Sequence, residues 1–140
     1  MAKTSPHERR RLLLIDDDPM ILRAIGRSMK EAWSVIALED ASEGLARVLL
    51  GERFDVILCD VRMPGMDGLR FFHALPETVR PRLVFITGDA LDHRTLARLR
   101  ETGAPVLRKP FPLSALLQSI QEQLTVPLAL PESVSEPESE

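Results

Sequence analysis

The sequence has few of the residues that build disulfides or zinc sites. It contains one cysteine, Cys59, and three histidines among 140 residues. A single cysteine excludes a disulfide within the chain, and the absence of CxxC motifs and Cys/His clusters argues against zinc. Cys59 lies inside an apolar run and is expected to be a small core residue. The scattered histidines are assigned no role.

Long apolar runs and extended basic blocks are also missing. No stretch approaches the roughly 20 apolar residues of a membrane span, and the first seven residues carry no apolar signal core. The net charge is −3, and the longest basic run is Arg9-Arg10-Arg11. This balance does not favour nucleic acid binding. We therefore expect a cytoplasmic protein that binds neither membranes nor nucleic acid directly.

Short apolar runs alternate with amphipathic segments along most of the chain. Such runs predict strands, and apolar residues three and four apart predict helices. The expected strands are at about 11–15, 33–38, 54–59, 82–87 and 105–108. Helices are expected at about 19–29, 68–75, 91–101 and 112–124, and a further helix is expected between a cap at Asp40 or Ser42 and its end at Gly51. The first helix is predicted to bury Met20, Ile21, Ala24, Ile25, Ser28 and Met29. The third is predicted to bury Leu69, Phe72 and Leu75, and the last Leu113, Leu116, Leu117, Ile120 and Leu124.

The pattern predicts an α/β fold of the (βα)5 type. The first, third and fourth strands are so apolar that both faces of the sheet must be covered, which indicates a parallel sheet. Right-handed crossovers then place helices on both faces, giving three layers. The domain is expected at 11–125, after a frayed N-terminus at 1–10. Residues 126–140 are rich in proline, serine and glutamate and are expected to be disordered.

Chemically active side chains occur where four of the strands end. Asp16, Asp17 and Asp18 follow the first strand. Asp60, Thr87 and Lys109 lie at the ends of the third, fourth and fifth strands. The carboxyl ends of parallel strands meet at one sheet edge, where open α/β sheets keep their ligands. Asp18 is interpreted separately as a helix cap or surface acid, and Asp67 as a cap of the third helix.

Crowded carboxylates at this edge need a counter-ion. Two unit charges 4 Å apart repel by about 4 kcal/mol at an effective dielectric near 20. Carboxylates, a carbonyl and water are the ligands that Mg²⁺ takes, commonly together with phosphate oxygens. Asp60 is then the best-placed nucleophile for phosphorus, with Lys109 and Thr87 available to bind phosphoryl oxygens. Seen alone, Asp16-Asp17-Asp18 would be a solvated turn and helix cap, Thr87 a strand-end hydroxyl bonded to backbone, and Lys109 a solvated surface lysine. Together with Asp60 they favour phosphoryl chemistry.

The motifs together resemble the receiver domain of two-component response regulators. The resemblance rests on the blocks Leu14–Pro19, Asp60–Gly68, Ile86–Gly88 and Lys109–Phe111, in that order, and covers about residues 10–125. It implies a flavodoxin-like fold with sheet order 2-1-3-4-5, an order that the chemotaxis regulators exemplify. It also implies transient phosphorylation of Asp60 by a phosphohistidine on a sensor histidine kinase or a histidine phosphotransfer protein.

The resemblance further implies a role for each site residue. Asp17, Asp60 and the main-chain carbonyl of Arg62 would ligate Mg²⁺, and Asp16 would act through a water. Thr87 and Lys109 would contact the phosphoryl group. The Lys109–Pro110 peptide bond is expected to be cis. A phosphoacceptor of this kind phosphorylates and dephosphorylates itself, so it is not expected to be an enzyme with a separate substrate.

Two features depart from the family pattern. The position in strand five that often holds a switching aromatic is Val106 or Leu107, so a rotating aromatic gate is not expected. Only the acidic segment follows the domain in this sequence, and the stretches Phe85–Asp89 and Gly103–Leu107 are similar to receivers attached to hybrid sensor kinases. The chain is thus expected to be a stand-alone regulator or a hybrid-kinase receiver. It would switch a surface near helices four and five for an unknown downstream protein, with a possible homodimer through helix four, strand five and helix five.

Two other functions compete with the phosphorylation switch. A haloacid-dehalogenase-type phosphatase also attacks phosphate with a strand-end aspartate. Its Asp-x-Asp motif needs Thr or Val two residues after the second acid, where this chain has Met20. A receiver-like module that only binds is the other alternative, disfavoured because the acids, the threonine and the lysine are all present.

Overall fold

The protein is described by a computed structural model covering residues 9–88 and 90–125. Five strands and five helices alternate. The strands are β1 (Arg10–Ile15), β2 (Trp33–Leu38), β3 (Val56–Asp60), β4 (Leu83–Thr87) and β5 (Val106–Arg108), and the helices are α1 (Pro19–Met29), α2 (Ala41–Leu49), α3 (Gly68–Ala74), α4 (His93–Thr102) and α5 (Leu113–Thr125). A short 3-10 turn, Arg80–Arg82, precedes β4.

All five strands are parallel, in the order β2-β1-β3-β4-β5. The predicted fold class, a flavodoxin-like (βα)5 sandwich with this order, is confirmed. Successive residues of a strand face opposite sides of the sheet. Accordingly, Leu13 and Ile15 pack with α2, α3 and α4 on one face, while Leu12 and Leu14 pack with α1 and α5 on the other.

Aspartates begin four of the helices. The side chains of Asp18, Asp40, Asp67 and Asp92 each accept a hydrogen bond from a backbone N–H in the first turn of α1, α2, α3 and α4. Such caps satisfy N–H groups that the helix itself leaves unpaired. Asp18 and Asp67 therefore have the capping role predicted for them. Gly103 ends α4 with a φ of 75°, in the left-handed conformation that favours glycine.

The predicted buried stripes of α1 and α5 are partly wrong. In α1, Met20 is 68% exposed and Ala24 and Ser28 are exposed, while the buried positions are Leu22, Ile25 and Met29. In α5, Leu113 and Leu117 are 45% and 44% exposed. Both helices pack on one sheet face, so each buries only a narrow arc of its surface. The sequence pattern contains more apolar positions than that arc.

Smaller differences concern element ends. β1 begins at Arg10, one residue before its predicted start, and β3 runs from 56 to 60 rather than from 54 to 59. α3 buries Phe71 in addition to Phe72, whereas Leu69 is half-buried. The disorder expected for 126–140 and for most of 1–10 lies outside the described residues. None of the helices in the described part of the chain combines the length and apolarity that a bilayer crossing requires.

Candidate functional site

The strand register brings the predicted site residues to one edge of the sheet. Ile15 pairs with Cys59, so Asp16 and Asp60 lie at neighbouring strand ends. Asp60 pairs with Ile86, and Thr87 pairs with Arg108. Backbone hydrogen bonds continue these ladders past the strands, with the Lys109 N–H donating to the Thr87 carbonyl at 2.8 Å. Pairing between neighbouring strands thus fixes the backbone positions of these four residues.

Three carboxylates converge at this edge. One oxygen each of Asp16, Asp17 and Asp60 lies within 4.8 Å of the other two. Asp16 is fully buried and Asp60 is 5% exposed, whereas Asp17 is exposed and lies at the open side of the cluster. The cluster predicted from the sequence therefore exists, and its third member, Asp17, gives it access to solvent.

Lys109 supplies the positive charge nearest to these acids. Its ammonium nitrogen lies 2.7 Å from Asp16 Oδ2 and 3.4 Å from Asp60 Oδ2. Asp16 Oδ1 accepts a hydrogen bond from the Asp18 N–H at 2.9 Å. Asp16 Oδ2 is buried and, despite the ion pair, has no donor in hydrogen-bonding geometry. One ammonium thus serves two carboxylates and leaves part of their acceptor capacity unused.

Burial and charge crowding alter the proton affinity of the site. Desolvation by burial, followed by the charge of Asp16, raises the pKa of Asp60 from 3.8 to about 6, against the opposing effect of Lys109. Burial lowers the pKa of Lys109, but its contacts with Asp16 and Asp60 outweigh this effect and raise it. Burial raises the pKa of the Cys59 thiol well above its usual value, so this cysteine is a neutral core residue as predicted.

The raised pKa of Asp60 predicts a pH-dependent stability cost without metal. The folded protein binds a proton at Asp60 more tightly than the unfolded chain, so ionisation above about pH 6 destabilises the fold, by roughly 3 kcal/mol at most. The cost is relieved as the pH falls from about 6 towards 3.8. Metal-free Asp60→Asn is therefore expected to unfold at a higher temperature than the natural sequence at pH 7.5, and this difference in unfolding temperature should vanish near pH 4. Thermal unfolding of both proteins at the two pH values measures the difference. A difference that does not change with pH would show that ionisation of Asp60 does not destabilise the fold.

The cluster fits a hard divalent cation. It offers carboxylate oxygens, the ligands preferred by Mg²⁺, from three residues, and the exposed Asp17 leaves the cluster open to solvent. Burial and the charge of Asp16 raise the pKa of Asp60, and a cation beside these carboxylates would offset both effects. Arg62 follows in the loop two residues after Asp60 with its side chain exposed, and its carbonyl as a ligand remains a prediction.

Gly68 controls the path of the loop that follows Asp60. The Gly68 N–H donates to the Val61 carbonyl at 2.9 Å, which closes the loop 61–67. A Cβ at this position would overlap the Asp60 carbonyl oxygen and would lie 3.0 Å from Val61 Cα. Only glycine allows so close an approach of helix and strand backbones.

Gly88 is a further residue of the site that the sequence did not single out. A Cβ there would lie 3.3 Å from Lys109 Cδ, so the absence of a side chain leaves room for the lysine stem. Thr87 itself is buried, directly before Gly88. The position expected to lack an aromatic gate is confirmed as aliphatic: Val106 is 38% exposed, and Leu107 packs against the core of the α1/α5 face.

Comparisons with known proteins agree on one family. The family model described as response regulator receiver domain matches residues 12–121. The transcriptional regulatory protein GlrR of Escherichia coli (strain K12) is 35% identical over 121 residues, which are 84% of this chain and 27% of that protein. The C4-dicarboxylate transport transcriptional regulatory protein DctD of Pseudomonas aeruginosa is 32% identical over 82% of this chain and 25% of its own length. The chain thus spans about a quarter of these two relatives.

Solved structures show the same similarity. A CheY-like response regulator receiver domain protein from Methanospirillum hungatei JF-1 superposes with a TM-score of 0.72 at 30% identity, covering 83% of this chain and 94% of that one. The chemotaxis protein CheY4 of Vibrio cholerae superposes with a TM-score of 0.70 at 28% identity, covering 83% and 99% of the two chains.

Proposed function

The chain belongs to the response regulator receiver domain family of two-component systems, and on this premise we propose that Asp60 is its phosphoacceptor. The donor is a phosphohistidine on a sensor histidine kinase or a histidine phosphotransfer protein. The observation that carries the proposal is the position of Asp60: a nearly buried carboxylate at the end of β3, with the Lys109 ammonium 3.4 Å away and two further carboxylates beside it.

The chemical step is an in-line transfer. A carboxylate oxygen of Asp60 attacks phosphorus as the P–N bond to the donor imidazole breaks, and the imidazole leaves with the bonding electron pair and takes a proton from solvent. The Asp60 carboxylate must be ionised to attack, which its pKa of about 6 allows at neutral pH. Catalysis is then chiefly positioning and charge stabilisation.

Two side chains of neighbouring strands serve the transferring group. The Lys109 ammonium, now shared between Asp16 and Asp60, would bind one phosphoryl oxygen. The Thr87 hydroxyl, at the end of the adjacent strand, would donate a hydrogen bond to another. Both are fixed by the backbone ladder between β4 and β5, so little reorganisation is needed during the reaction.

Asp17, Asp60 and the Arg62 carbonyl would hold Mg²⁺ directly, with Asp16 acting through a water. The ion would neutralise charge on the cluster and on the phosphoryl oxygens. Asp16 stays oriented through its bonds to the Asp18 N–H and to Lys109. It thereby keeps a second negative charge next to the phosphoacceptor.

We further propose that phosphorylation changes partner binding near α4 and α5, and that the chain turns over no separate substrate. Because Val106 and Leu107 replace an aromatic gate, the change is expected to travel through the backbone that joins Thr87 to Lys109. The same proposal includes an unidentified downstream protein that binds this surface, and a homodimer that forms through α4, β5 and α5. In this proposal the chain, which spans about a quarter of these two relatives, acts as a stand-alone regulator or as the receiver of a hybrid kinase.

Incubation with a small acyl phosphate and Mg²⁺ tests the proposal. The natural sequence is expected to gain the mass of one phosphoryl group, and Asp60→Asn is expected to gain none. Asp40→Asn is a matched control, because Asp40 is an exposed acid that caps α2 and asparagine caps equally well. Intact-mass spectrometry gives the readout.

Rapid self-hydrolysis can hide the product, so binding of fluoroberyllate with Mg²⁺ is measured in parallel. A chain that neither gains phosphate nor binds fluoroberyllate would be a binding module and not a phosphoacceptor. Steady release of inorganic phosphate from many phosphate monoesters would instead indicate a phosphatase.

A further inference from the structure

Arginines border the edge of the sheet opposite Asp60. Arg10 starts β1, Arg53 lies shortly before β3, and Arg82 directly precedes β4. These three strands are neighbours in the sheet, so their starting ends lie side by side. Arg11 joins two of them, since its guanidinium donates to the Arg53 carbonyl at 2.8 Å.

The Arg53–Arg82 pair has too little negative charge around it. Arg82 donates to the Phe54 carbonyl at 2.8 Å, but its Nε is buried and has no acceptor within the described residues. Burial, and next the positive charge of Arg53, lower the pKa of Arg82, against a smaller opposing effect of Asp55. Arg53 is exposed. The buried Nε–H is out of reach of an incoming group, so an added carboxylate would bind the exposed Arg53 guanidinium beside Arg82.

The acids nearest to this pair are engaged elsewhere. Asp55 Oδ2 accepts the Arg11 N–H at 2.7 Å. Glu52 forms ion pairs with Arg11 at 2.6 Å and with Arg47 at 3.2 Å. Among the described residues, these leave no carboxylate in contact with Arg53 or with the Nε of Arg82. Arg53 is therefore available to a carboxylate from outside the described residues.

We propose that the Arg53–Arg82 pair is a carboxylate-binding site and that its occupant is the chain's own segment 132–140. Four glutamates and no basic residue lie in this segment, whereas residues 1–125 contain 18 bases and 17 acids. The two parts are complementary in charge. Arginine is the side chain best suited to bind carboxylates, through parallel N–H donors.

The end of α5 brings the segment close to its site. The Gln123 amide donates to the Pro81 carbonyl at 2.6 Å and to the Leu83 carbonyl at 3.1 Å, the two residues that flank Arg82. The chain therefore leaves α5 beside this arginine. At about 3.3 Å per residue, the seven residues from Thr125 to Glu132 can span roughly 20 Å, enough to reach Arg82 and Arg53.

A spin label tests this contact in the full chain. Ser135→Cys provides a labelling position, and Cys59 does not compete because it is fully buried. In low salt, the label is expected to remove most of the NMR intensity of the Arg82 Nε–H and the Arg53 amide. Arg53→Gln, or glutamine at Glu132, Glu136, Glu138 and Glu140, should restore that intensity, as should 1 M salt, where charges are screened within about 3 Å.

Arg23→Gln is the matched control, because Arg23 is an exposed arginine on α1 and its replacement changes the net charge equally. The broadening should persist in this variant. Absence of broadening in the natural sequence would overturn the proposal, as would broadening that survives Arg53→Gln or that Arg23→Gln removes equally. Arg53 is exposed, so its variant is expected to fold, and the result does not depend on phosphorylation.

Discussion

Lys109→Met is expected to slow phosphorylation of Asp60 by about 100-fold or more. Loss of one preorganised donor to a developing anion typically costs this much. Methionine keeps most of the apolar stem while removing the ammonium that lies 2.7 Å from Asp16 and 3.4 Å from Asp60. The initial rate of phosphate incorporation from an acyl phosphate, followed by intact mass, measures the effect.

The same substitution is expected to destabilise the metal-free protein by up to about 3 kcal/mol, because removing one partner of a buried ion pair leaves its carboxylates uncompensated. The pKa of Asp60 should rise further. Lys30→Met is the control, since Lys30 is an exposed lysine at the end of α1. If the two variants were phosphorylated at similar rates, Lys109 would have no part in the transfer.

Gly68→Ala is expected to impair both stability and phosphorylation through backbone displacement. The added methyl group would overlap the Asp60 carbonyl oxygen, so relief of the overlap must displace the end of β3, which carries Asp60, or the first turn of α3. Overpacking of this kind costs about 1–3 kcal/mol. Chemical denaturation and the phosphorylation rate measured on the same sample test the two consequences together.

Gly26→Ala is a control with the opposite expected sign. Gly26 lies inside α1, and a Cβ there would meet nothing within 4 Å. Alanine is more favourable than glycine in a helix interior by about 0.5–1 kcal/mol. This variant should therefore be slightly stabilised and phosphorylated normally. A Gly68→Ala protein that behaved like it would show that the contact with Asp60 does not constrain the site.

The sheet and the acidic cluster could be predicted because their sequence signals are strong and local. Each apolar strand ends in a polar residue, and parallel pairing necessarily gathers those ends at one edge. The caps Asp18 and Asp67 were equally readable, because an acid directly before an amphipathic segment has a well-defined use.

The sequence could not show which apolar helix residues stay in solvent. Met20 and Leu117 fit a helical stripe, but burial depends on how far the neighbouring elements extend over the helix. Nor could the sequence show that Lys109 contacts two carboxylates, or that the Nε of Arg82 has no hydrogen-bond acceptor among the described residues. They depend on distances between strands that are remote in sequence.

The central claim is that a divalent cation completes a cluster of carboxylates that otherwise repel one another. Thermal unfolding at pH 7.5 with increasing Mg²⁺, on the natural sequence and on Asp60→Asn, tests it most directly. Without metal the asparagine variant should be the more stable. At a Mg²⁺ concentration 100 times the dissociation constant, Mg²⁺ should then stabilise the natural sequence by about 2.7 kcal/mol and the variant far less. The stability advantage of Asp60→Asn should therefore shrink or reverse. Equal stabilisation of both proteins, or none of the natural sequence, would contradict the account.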